Sequence, residues 1–511
     1  MQRWRRFLSL VSLPYDSRVA SLISDAERVG DRLHVKHTPG TTVLLRTLGI
    51  NLPPAVTAHY KWSGNDTPFD IQRKTAELLT ENPRAYVLSS FGTGKTKAAL
   101  WSFDYLRSIR AVRRMLIVAP LSTLRFVWGR EVFETTPHLK VNILHGDRDT
   151  RLRLLTDLAD VYVINPDGLG MIIDLVMKRN DIDVICIDEL AMYRNNTKRT
   201  KLLRRMARNK PVVWGMTGAP TPNAPTDVYN QAQIITPHTC SMSFIRFRDT
   251  MMVKVNDYKW VPRKGAIEKA MDVLRPHVRF TLDDVVELPD FVSRYHEVEM
   301  SPMQKLAYEE IRKHCYSAIR SKEITVANAA VALVKLLQIS MGWVYSSDMS
   351  ILDLQPAARL EALVDLIDAA DHKVLVFVPY KHAMAGVMQA LQANGIEAAL
   401  VSGDTPAKAR AEIFNLFQNT VKYKALVAHH AVLAHGLTLT SANTVIWYGP
   451  ITSLELYDQS NARIRRVGQM HHQLFIHMFS TPVEKRVYNL LINKIDAQDQ
   501  LLQLLEQATS A

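Results

Sequence analysis

Gly92, Gly94, Lys95 and Thr96 stand at the junction between an apolar, strand-like run and an alanine-rich segment that favours a helix. A strand, a glycine turn and a helix in succession aim backbone N–H groups and the positive end of the helix dipole at one point, which suits a phosphate. Lys95 would reach the β- and γ-phosphates, and the Thr96 hydroxyl would hold Mg²⁺. Because Ser89 replaces the first glycine of the usual eight-residue pattern, these residues alone leave open a tight turn that ends in an exposed lysine.

A second chemical group follows another apolar run. In "DVICIDEL", Asp188 and Glu189 come at the carboxyl end of the predicted strand, which is the edge of a parallel sheet where ligands bind. One carboxylate can hold Mg²⁺ while the other orients and deprotonates a water, as nucleotide hydrolysis requires. An acidic pair in this position is by itself more often a solvated strand end or a helix cap, and the glycine loop upstream favours the catalytic interpretation.

Two further segments could complete such a site. "GMTGAPTPN" (residues 215–223) follows another apolar strand, and "RIRRVGQ" (residues 463–469) lies late in the chain. Arg463 and Arg466 are three residues apart, so on a helix they would share a face and could both reach a γ-phosphate from across a cleft. An isolated pair with this spacing is more often a solvated basic helix face.

The elements that must position these residues appear as two series of apolar strands alternating with helical patterns, which predicts an α/β protein with parallel sheets covered on both faces. The first series begins near Thr67, and the strand rhythm lapses between about Gln231 and Ser350 before it resumes. The predicted organisation is a small N-terminal accessory module at 1–60, a first lobe at 61–235, a mainly helical insert at 236–350, a second lobe at 351–485 and a helical C-terminal tail at 486–511.

Composition narrows the classes of partner and compartment. The chain has 511 residues and a net charge of +13, so we expect two to four domains and a polyanionic partner. Its 3 cysteines show neither disulfide nor metal-ligand spacing, which fits a reducing cytoplasm. The basic and apolar start lacks a small-residue cleavage site, and no run approaches the roughly 18 apolar residues of a membrane span. These observations predict a cytosolic protein.

The order of the motifs resembles the motor of helicase superfamily two and, within it, the Swi/Snf-type double-stranded DNA translocases. The resemblance extends from about Phe69 to Lys494. The segments that carry it are "PFDIQ", "SSFGTGKT", "MLIVAPLSTLRFVWGREV", "HGDR", "CIDELAMYRN" and "MTGAPTPN", followed by "KVLVFVPY", "VSGDT", "HAVLAHGLTLTSANTVI" and "YDQSNARIRRVGQ". Each segment is a weak signal alone, but their joint order and spacing make chance a poor explanation.

The resemblance implies two RecA-like lobes, ATP and Mg²⁺ as cofactors, and a role for particular residues. The implied catalytic residues are Lys95, Asp188, Glu189, Gln459, Arg463 and Arg466. The implied nucleotide-binding residues are Gln72, Gly92, Thr93, Gly94, Lys95, Thr96 and Gly436, with Thr96 and Asp188 as the ligands of the metal and Thr217 and Gly218 as coupling residues. The implied DNA contacts are Ser122, Thr123, His145, Asn165, Tyr380, Lys381, Thr438 and Thr440.

Some segments depart from the family pattern. The second motif reads Asp-Glu-Leu-Ala and lacks the histidine that is common in this branch, which puts its coupling to "MTGAPTPN" in doubt. The paired arginines that usually precede the "LP" segment are present only as Arg275 and Arg279. No chromatin-reader module and no nuclease motif is recognisable, so the chain is little more than the motor.

The sequence therefore predicts a DNA-stimulated ATPase that moves along duplex DNA. We expect it to act as a monomer, to have no preference for DNA sequence and to have no membrane partner. Two alternatives remain: a helicase that separates or anneals strands of forked or branched DNA, and a non-catalytic DNA-binding protein with a decayed motor. Residues 1–60 could be a branched-DNA reader or a structural cap. The compact form favours a phage or bacterial origin, in the bacterial or phage-infected host cytoplasm.

Overall fold

A computed structural model describes most of the chain. The described residues are 10–255, 260–281, 284, 289–320, 326–345, 350–433, 438–466 and 468–493. The chain divides into two compact units, Met1–Val285 (unit one) and Val286–Ala511 (unit two). The division falls inside the stretch that the sequence suggested as a helical insert.

The N-terminal part of unit one is a small α/β module with its own apolar core. Its elements are β1 (Leu10–Pro14), α1 (Ser17–Leu22), β2 (Glu27–Val29), β3 (Arg32–Lys36), α2 (Pro39–Thr47) and α3 (Ala55–His59). The three strands form an antiparallel sheet in the order β1-β3-β2. In β3, Leu33 and Val35 alternate with more exposed residues and pack with Val19 and Leu45, as expected for a sheet with one buried face.

The main body of unit one is a seven-stranded parallel sheet. Its strands are β4 (Arg84–Val87), β5 (Arg114–Val118), β6 (Val141–Leu144), β7 (Val161–Ile164), β8 (Ile182–Ile187), β9 (Val212–Met216) and, after the hairpin β10 (Met252–Lys254) and β11 (Trp260–Pro262), β12 (His277–Val278). The strand order is β12-β4-β9-β8-β5-β7-β6. Helices cover the sheet: α4 (Asp70–Glu81), α5 (Lys95–Ser108), α6 (Arg130–Thr135), α7 (Arg148–Thr156), α8 (Pro166–Lys178), α9 (Lys198–Arg208), α10 (Val228–Ile235), α11 (Phe244–Met251) and α12 (Ala266–Val273).

The strands of this sheet are apolar along their whole length because both faces are buried. In β5, Leu116 and Val118 belong to one core cluster, whereas Met115 and Ile117 belong to a second cluster on the other face. The pattern is the one expected of a parallel sheet between two helical layers.

Unit two repeats this architecture with a six-stranded sheet. The strands of unit two, including a separate hairpin, are β13 (Phe291–Glu297), β14 (Trp343–Tyr345), β15 (Ile351–Asp353), β16 (Lys373–Phe377), β17 (Ala398–Val401), β18 (Ala425–Ala428), β19 (Ala442–Trp447) and β20 (Gln473–Phe479). The parallel sheet has the order β13-β20-β19-β16-β18-β17, and β14 and β15 form a separate hairpin. Its helices are α13 (Pro302–Arg320), α14 (Val326–Met341), α15 (Ala357–Asp368), α16 (Lys381–Ala393), α17 (Ala407–Asn419), α18 (His430–Leu433), α19 (Leu454–Asn461) and α20 (Pro482–Ile492).

The predicted fold class, α/β with two parallel-sheet lobes, is confirmed. The segment at 236–350, predicted as mainly helical, contains α11 to α14 but also contributes β12 to the first sheet and β13 to the second. Most of the predicted C-terminal tail, after residue 493, lies outside the described residues. Among the described residues, no helix combines the length and the apolarity needed to cross a bilayer.

In unit one, the strands β4, β9, β8 and β5 are consecutive neighbours in the sheet. The glycine loop follows β4, the Asp188–Glu189 pair follows β8, and the "TGAPTPN" segment follows β9. Because the strands are parallel, their carboxyl ends meet at one edge of the sheet. Groups that are far apart in sequence are thereby brought to the same edge.

Candidate active site

The loop between β4 and α5 turns through two glycines. Gly92 has a φ of 81° and Gly94 a φ of 76°, a left-handed conformation that favours glycine. A Cβ atom on Gly94 would lie 1.9 Å from Nε2 of Gln72, so a larger residue would displace the Gln72 side chain as well as strain the backbone. The helix α5 begins at Lys95, immediately after this turn.

Gln72 joins the start of α4 to the glycine loop. It is buried, and its Oε1 accepts a hydrogen bond of 2.9 Å from the Phe69 N–H, while its amide nitrogen faces Gly94. The first bond caps the N-terminus of α4. The adenine-reading role of Gln72 remains a prediction, and the geometry adds a structural role beside it.

Lys95 and Ser89 are held within the loop. The Lys95 ammonium donates to the carbonyl oxygens of Ser89 and Ser90 at 2.6 and 3.1 Å, and it lies 5.0 Å from the centre of the Phe91 ring. Ser89 is not among the residues with positive φ, which explains why serine can stand where the usual pattern has glycine. Its Oγ accepts a bond of 3.1 Å from the Phe280 N–H, and the Ser90 N–H donates to the Phe280 carbonyl at 2.8 Å.

The two threonines of the loop have different environments. The Thr93 hydroxyl donates to the Ser90 carbonyl at 2.9 Å and is buried, so it shapes the turn. Thr96 is the second residue of α5 and is half-buried. The first N–H groups of a helix have no partner within the helix, so the Thr96 hydroxyl lies beside donors that can bind phosphate oxygens.

Asp188 is fixed by a residue that sequence reasoning quoted only as part of a motif. The indole Nε1 of the fully buried Trp128 donates to Asp188 Oδ2 at 2.9 Å, and the Glu189 N–H donates to Oδ1 at 3.1 Å. Desolvation raises the pKa of the Asp188 carboxyl, while the Trp128 hydrogen bond and the positive charge of Lys95 lower it. Because desolvation dominates, the site favours a further positive charge beside this carboxyl.

The donor set fits Mg²⁺. Asp188 offers a carboxylate and Thr96 a hydroxyl, and hard oxygen ligands of this kind suit that ion. The part of the chain that the structure describes contains no group of three or more His, Cys, Asp or Glu side chains arranged to hold a metal. Mg²⁺ in phosphate-binding sites usually takes only one or two protein ligands and completes its shell with water and phosphate, so a sparse protein set is the expected one.

Glu189 follows Asp188 in a strained conformation. Its φ and ψ are 51° and 53°, in the left-handed region, and it precedes the 3₁₀ turn Leu190–Tyr193. Such a conformation costs a non-glycine residue about 1–3 kcal/mol and concentrates at functional sites. The left-handed residue ends the extended course of β8 directly after Asp188.

The predicted coupling residues contact the glycine loop and its strand. The Thr217 N–H donates to the Val87 carbonyl of β4 at 3.0 Å, and a Cβ atom on Gly218 would lie 3.0 Å from the Phe91 ring. Phe91 therefore lies between the Lys95 ammonium and Gly218. Sequence reasoning missed this residue, and its only signal was an aromatic side chain inside a glycine loop.

In unit two, the prediction that Arg463 and Arg466 share a helix face is wrong. The helix α19 ends at Asn461, and the following residues form turns. The Arg463 carbonyl accepts from the Leu439 N–H at 3.0 Å, which fixes the chain outside a continuing helix. Arg463 is only 1% exposed and its Nε donates to the Gln459 carbonyl at 2.8 Å, whereas Arg466 is half-buried and its Nη1 donates to Thr438 Oγ1 at 3.0 Å.

Gln459, predicted as catalytic, is buried in α19. Its Nε2 donates to Glu455 Oε1 at 3.1 Å, and its Oε1 has no hydrogen-bond partner within the described part of the chain. Gly436, predicted to bind the nucleotide, lies outside the described residues.

Two of the four predicted DNA contacts of unit one, Thr123 and Asn165, are buried. Thr123 is buried and its hydroxyl donates to the Pro120 carbonyl at 2.9 Å. Asn165 is buried and its Oδ1 accepts from Arg151 at 3.0 Å. His145 is exposed, and the side chain of Ser122 falls outside the described set. Their role in binding DNA remains a prediction.

The predicted DNA contacts of unit two lie at the ends of elements. Tyr380 precedes α16 and stacks on His382 at 5.5 Å between ring centres, and burial raises its pKa. Lys381 is exposed and its Nζ pairs with Asp404 at 2.8 Å. Thr438 is exposed, and the half-buried Thr440 accepts from Gln418 Nε2 at 3.2 Å.

Comparison with known proteins agrees with this geometry. The SNF2-related domain family matches residues 82–341, and the helicase conserved C-terminal domain family matches residues 358–468. The chain is 24% identical over 466 residues to putative protein p41 of Acyrthosiphon pisum secondary endosymbiont phage 1, which covers 86% of this chain and 99% of that protein.

Other relatives are larger proteins. The chain is 23% identical over 423 residues to the Xenopus laevis SWI/SNF-related matrix-associated actin-dependent regulator of chromatin subfamily A-like protein 1, which covers 80% of this chain but 41% of that protein. The solved Sulfolobus solfataricus SWI2/SNF2 ATPase core in complex with double-stranded DNA is 19% identical, with 90% of this chain and 97% of that chain covered and a TM-score of 0.43. Since the SNF2-related model alone spans just over half of the sequence, the chain belongs to the SNF2-related family and is a Swi/Snf-type ATPase of helicase superfamily two.

Proposed function

We propose that this ATPase is stimulated by DNA and moves along double-stranded DNA, with its nucleotide bound at the carboxyl edge of the unit-one sheet. The observation that carries the proposal is the placement of the glycine loop after β4 and of Asp188, bonded to Trp128, and the strained Glu189 after β8, with only β9 between the two strands. A decayed motor would not be expected to retain strain at a residue that serves no reaction.

Each residue of the site has a separate task. The N–H groups at the start of α5 and the Lys95 ammonium bind the phosphates, after Lys95 exchanges its bonds to Ser89 and Ser90 for bonds to phosphate. When bound, Mg²⁺ neutralises charge on the phosphates, and Asp188 and Thr96 would hold it. Glu189 orients the attacking water and accepts its proton.

Arg463 and Arg466 are the proposed arginine fingers. A guanidinium stabilises the charge that develops on the transferred phosphoryl group, and it is worth about 10³–10⁵ in rate. Arg463 is bonded to Gln459 within unit two, so its use requires local rearrangement. We therefore expect hydrolysis to depend on the conformation of unit two, which DNA binding can bias.

The proposed partner is duplex DNA without sequence preference, bound by a monomer. The net charge of +13 supports a polyanionic partner, and phosphate contacts carry no sequence information. The membership of the SNF2-related family supports the same partner, and one relative is a regulator of chromatin. For the role of residues 1–60, two hypotheses remain: a structural cap and a branched-DNA reader.

The decisive experiment measures steady-state ATP hydrolysis by the full chain without nucleic acid and with blunt duplex DNA, single-stranded DNA, forked DNA and duplex RNA. We expect duplex DNA to raise the rate by orders of magnitude. Movement along the duplex is then measured by displacement of a third strand from triplex DNA, and strand separation by release of a strand from a tailed duplex.

The outcomes are distinct. Release of the third strand without separation of the duplex supports translocation, whereas efficient release from the tailed duplex would replace it with a helicase. Equal stimulation by duplex RNA would contradict DNA as the partner. Absence of hydrolysis under every condition would support the decayed motor instead.

A further inference from the structure

Helix α9 carries four basic residues in one stripe. Lys198, Lys201, Arg205 and Arg208 follow one another at intervals of three, four and three residues, a spacing that places them on one face of a helix. All four are exposed. With a rise of about 1.5 Å per residue, the stripe is about 15 Å long. We refer to these four residues as the α9 stripe.

The other two cations of the helix are used inside unit one. Arg199 pairs with Asp167 at 2.5 Å, and Arg204 donates to Asn230 Oδ1 at 2.6 Å. Among the described residues, by contrast, no member of the α9 stripe forms an ion pair. Within the described part of unit one, the stripe therefore has no carboxylate that neutralises it.

The opposite face of α9 anchors the helix. Thr200, Leu203 and Met206 are buried there, and the helix packs against α8 and α10. A basic face on a helix fixed in this way presents its charges at set positions. The stripe thus forms a rigid surface, in contrast to a basic tail.

The local stability of the helix does not explain the stripe. Like charges three and four residues apart repel one another, and a helix N-terminus favours acidic residues. The first turn of α9 has Lys198 and Arg199 and no acidic residue. Only Arg205 and Arg208, in the last turn, interact favourably with the helix dipole. An external polyanion would relieve this repulsion along the whole stripe.

The position of the helix connects the stripe to the rest of the site. Thr200 Oγ1 donates to the Asn195 carbonyl at 2.6 Å, so the start of α9 is fixed to the segment that follows Glu189. The pair between Arg199 and Asp167 places the same end beside the first turn of α8, which begins after Asn165. The exposed cations at the start of α9 therefore lie near the segment that follows Glu189 and near the first turn of α8.

We propose that the α9 stripe is an additional contact surface for the phosphate backbone of duplex DNA, separate from the motif residues. The inference rests on the proposed function in that DNA is the partner. Duplex DNA presents one negative charge per about 1.7 Å of its axis, so a stripe of this length faces several phosphates. Arginine can also bind a phosphate through two parallel hydrogen bonds.

The test compares the full chain with a stripe variant, Lys201→Gln, Arg205→Gln and Arg208→Gln together. Glutamine keeps nearly the helix propensity of lysine and arginine. The control variant removes three exposed lysines elsewhere, Lys269→Gln, Lys408→Gln and Lys422→Gln, so that both lose the same charge. Affinity for a fluorescent duplex is measured from about 50 to about 200 mM salt, and polyglutamate serves as an acidic polypeptide probe.

For the stripe variant, we expect the slope of log affinity against log salt to fall by about 0.9 for each cation that contacts a phosphate, and affinity at about 0.1 M salt to fall roughly tenfold per contact. The control should keep the slope of the unaltered chain. A melting temperature equal to or above that of the unaltered chain shows that the stripe variant is folded, because repulsion within α9 is removed.

Two results would overturn the inference while leaving the proposed function intact: equal slopes for stripe and control variants, or a loss of polyglutamate binding with DNA binding unchanged. In the second case the surface would belong to an acidic protein. Failure of the unaltered chain to bind any duplex would instead contradict the proposed function itself, and the inference with it.

Discussion

The candidate nucleotide site of unit one follows the ends of parallel strands, whereas the arginine segment of unit two follows the helix α19, and their polar groups are held in different ways. In unit one, Asp188 is fixed by the Trp128 indole and Glu189 has a strained backbone conformation. In unit two, Arg463 is almost fully buried and bonded to the backbone of Gln459. We therefore expect Asp188 and Glu189 to need less rearrangement than the buried Arg463 before hydrolysis.

This difference predicts which measurable quantity each half controls. The unit-one residues proposed to hold the phosphates and Mg²⁺ should affect nucleotide binding as well as turnover, whereas Glu189, as the proposed base, should affect turnover alone. The arginines of unit two should affect turnover with little effect on nucleotide affinity, because an arginine finger stabilises charge that develops only during phosphoryl transfer. Four predictions follow this division, from the largest expected effect to the smallest.

Replacing the arginine fingers should have the largest effect. Arg463→Ala and Arg466→Ala are each expected to lower single-turnover hydrolysis by about 10³-fold or more, because charge on the transferred phosphoryl group is no longer stabilised. The affinity for a fluorescent ATP analogue should stay close to that of the unaltered chain. Arg465→Ala, which removes a cation 4.3 Å from the Phe291 ring, is the neighbouring control and should keep turnover. An equal loss in all three variants would indicate a structural defect.

Glu189→Gln is expected to lower hydrolysis by about 10²–10⁴-fold, because an amide cannot accept the proton of the attacking water. Nucleotide binding should be retained. The exposed Glu361 of α15 provides the control Glu361→Gln, with no expected change. Turnover of Glu189→Gln near that of the unaltered chain would show that another group is the base.

Trp128→Phe should weaken Mg²⁺-dependent nucleotide binding by roughly tenfold or more, since a hydrogen bond to a charged group contributes about 1.5–3 kcal/mol. Loss of the indole donor also removes an influence that lowers the pKa of the Asp188 carboxyl. The matched control is Trp101→Phe, because the equally buried Trp101 indole donates to the Ser63 carbonyl at 2.9 Å. Calorimetric titration with Mg²⁺ and nucleotide should separate the two variants, although both should lower the melting temperature.

The smallest effect concerns the response of unit two to acid. Burial lowers the pKa of His477 from 6.5 to about 4, so the unfolded chain binds a proton in this range before the folded one does. The contribution of the neutral His477 to the free energy of unfolding is fully present above pH 6.5. It is lost as the pH falls towards 4, and the loss is at most about 3 kcal/mol. Hydrogen exchange followed by mass spectrometry should show peptides of β20 losing protection over this interval, and less steeply in His477→Gln. A slope unchanged by the substitution would assign the acid response to other groups.

The sequence was sufficient for the fold class because its signal is local. Both faces of β5 and β8 are buried, so each appears as an unbroken apolar run. The same reasoning could not find β13, whose residues Phe291–Glu297 are mostly exposed at the edge of the sheet. An exposed edge strand has no continuous apolar pattern, and β12 has only two residues.

The details of the site depend on contacts that no local pattern encodes. The bond between Trp128 and Asp188 joins residues 60 positions apart. The end of α19 depends on a bond between the backbone groups of Leu439 and Arg463, so the spacing of the two arginines suggested a helix that is not formed there. The glycines at 92 and 94 were recognisable because their conformation requires their residue type.

The Ser89 hydroxyl and the Ser90 N–H are both bonded to the backbone of Phe280, five residues before unit one ends. The loop proposed to bind phosphate is thus hydrogen-bonded to the last part of unit one, from which the chain continues into unit two. A displacement of that loop on phosphate binding would therefore also move the backbone at Phe280. Movement of the loop would reach this part of the chain through two hydrogen bonds, without first passing through the core of the sheet.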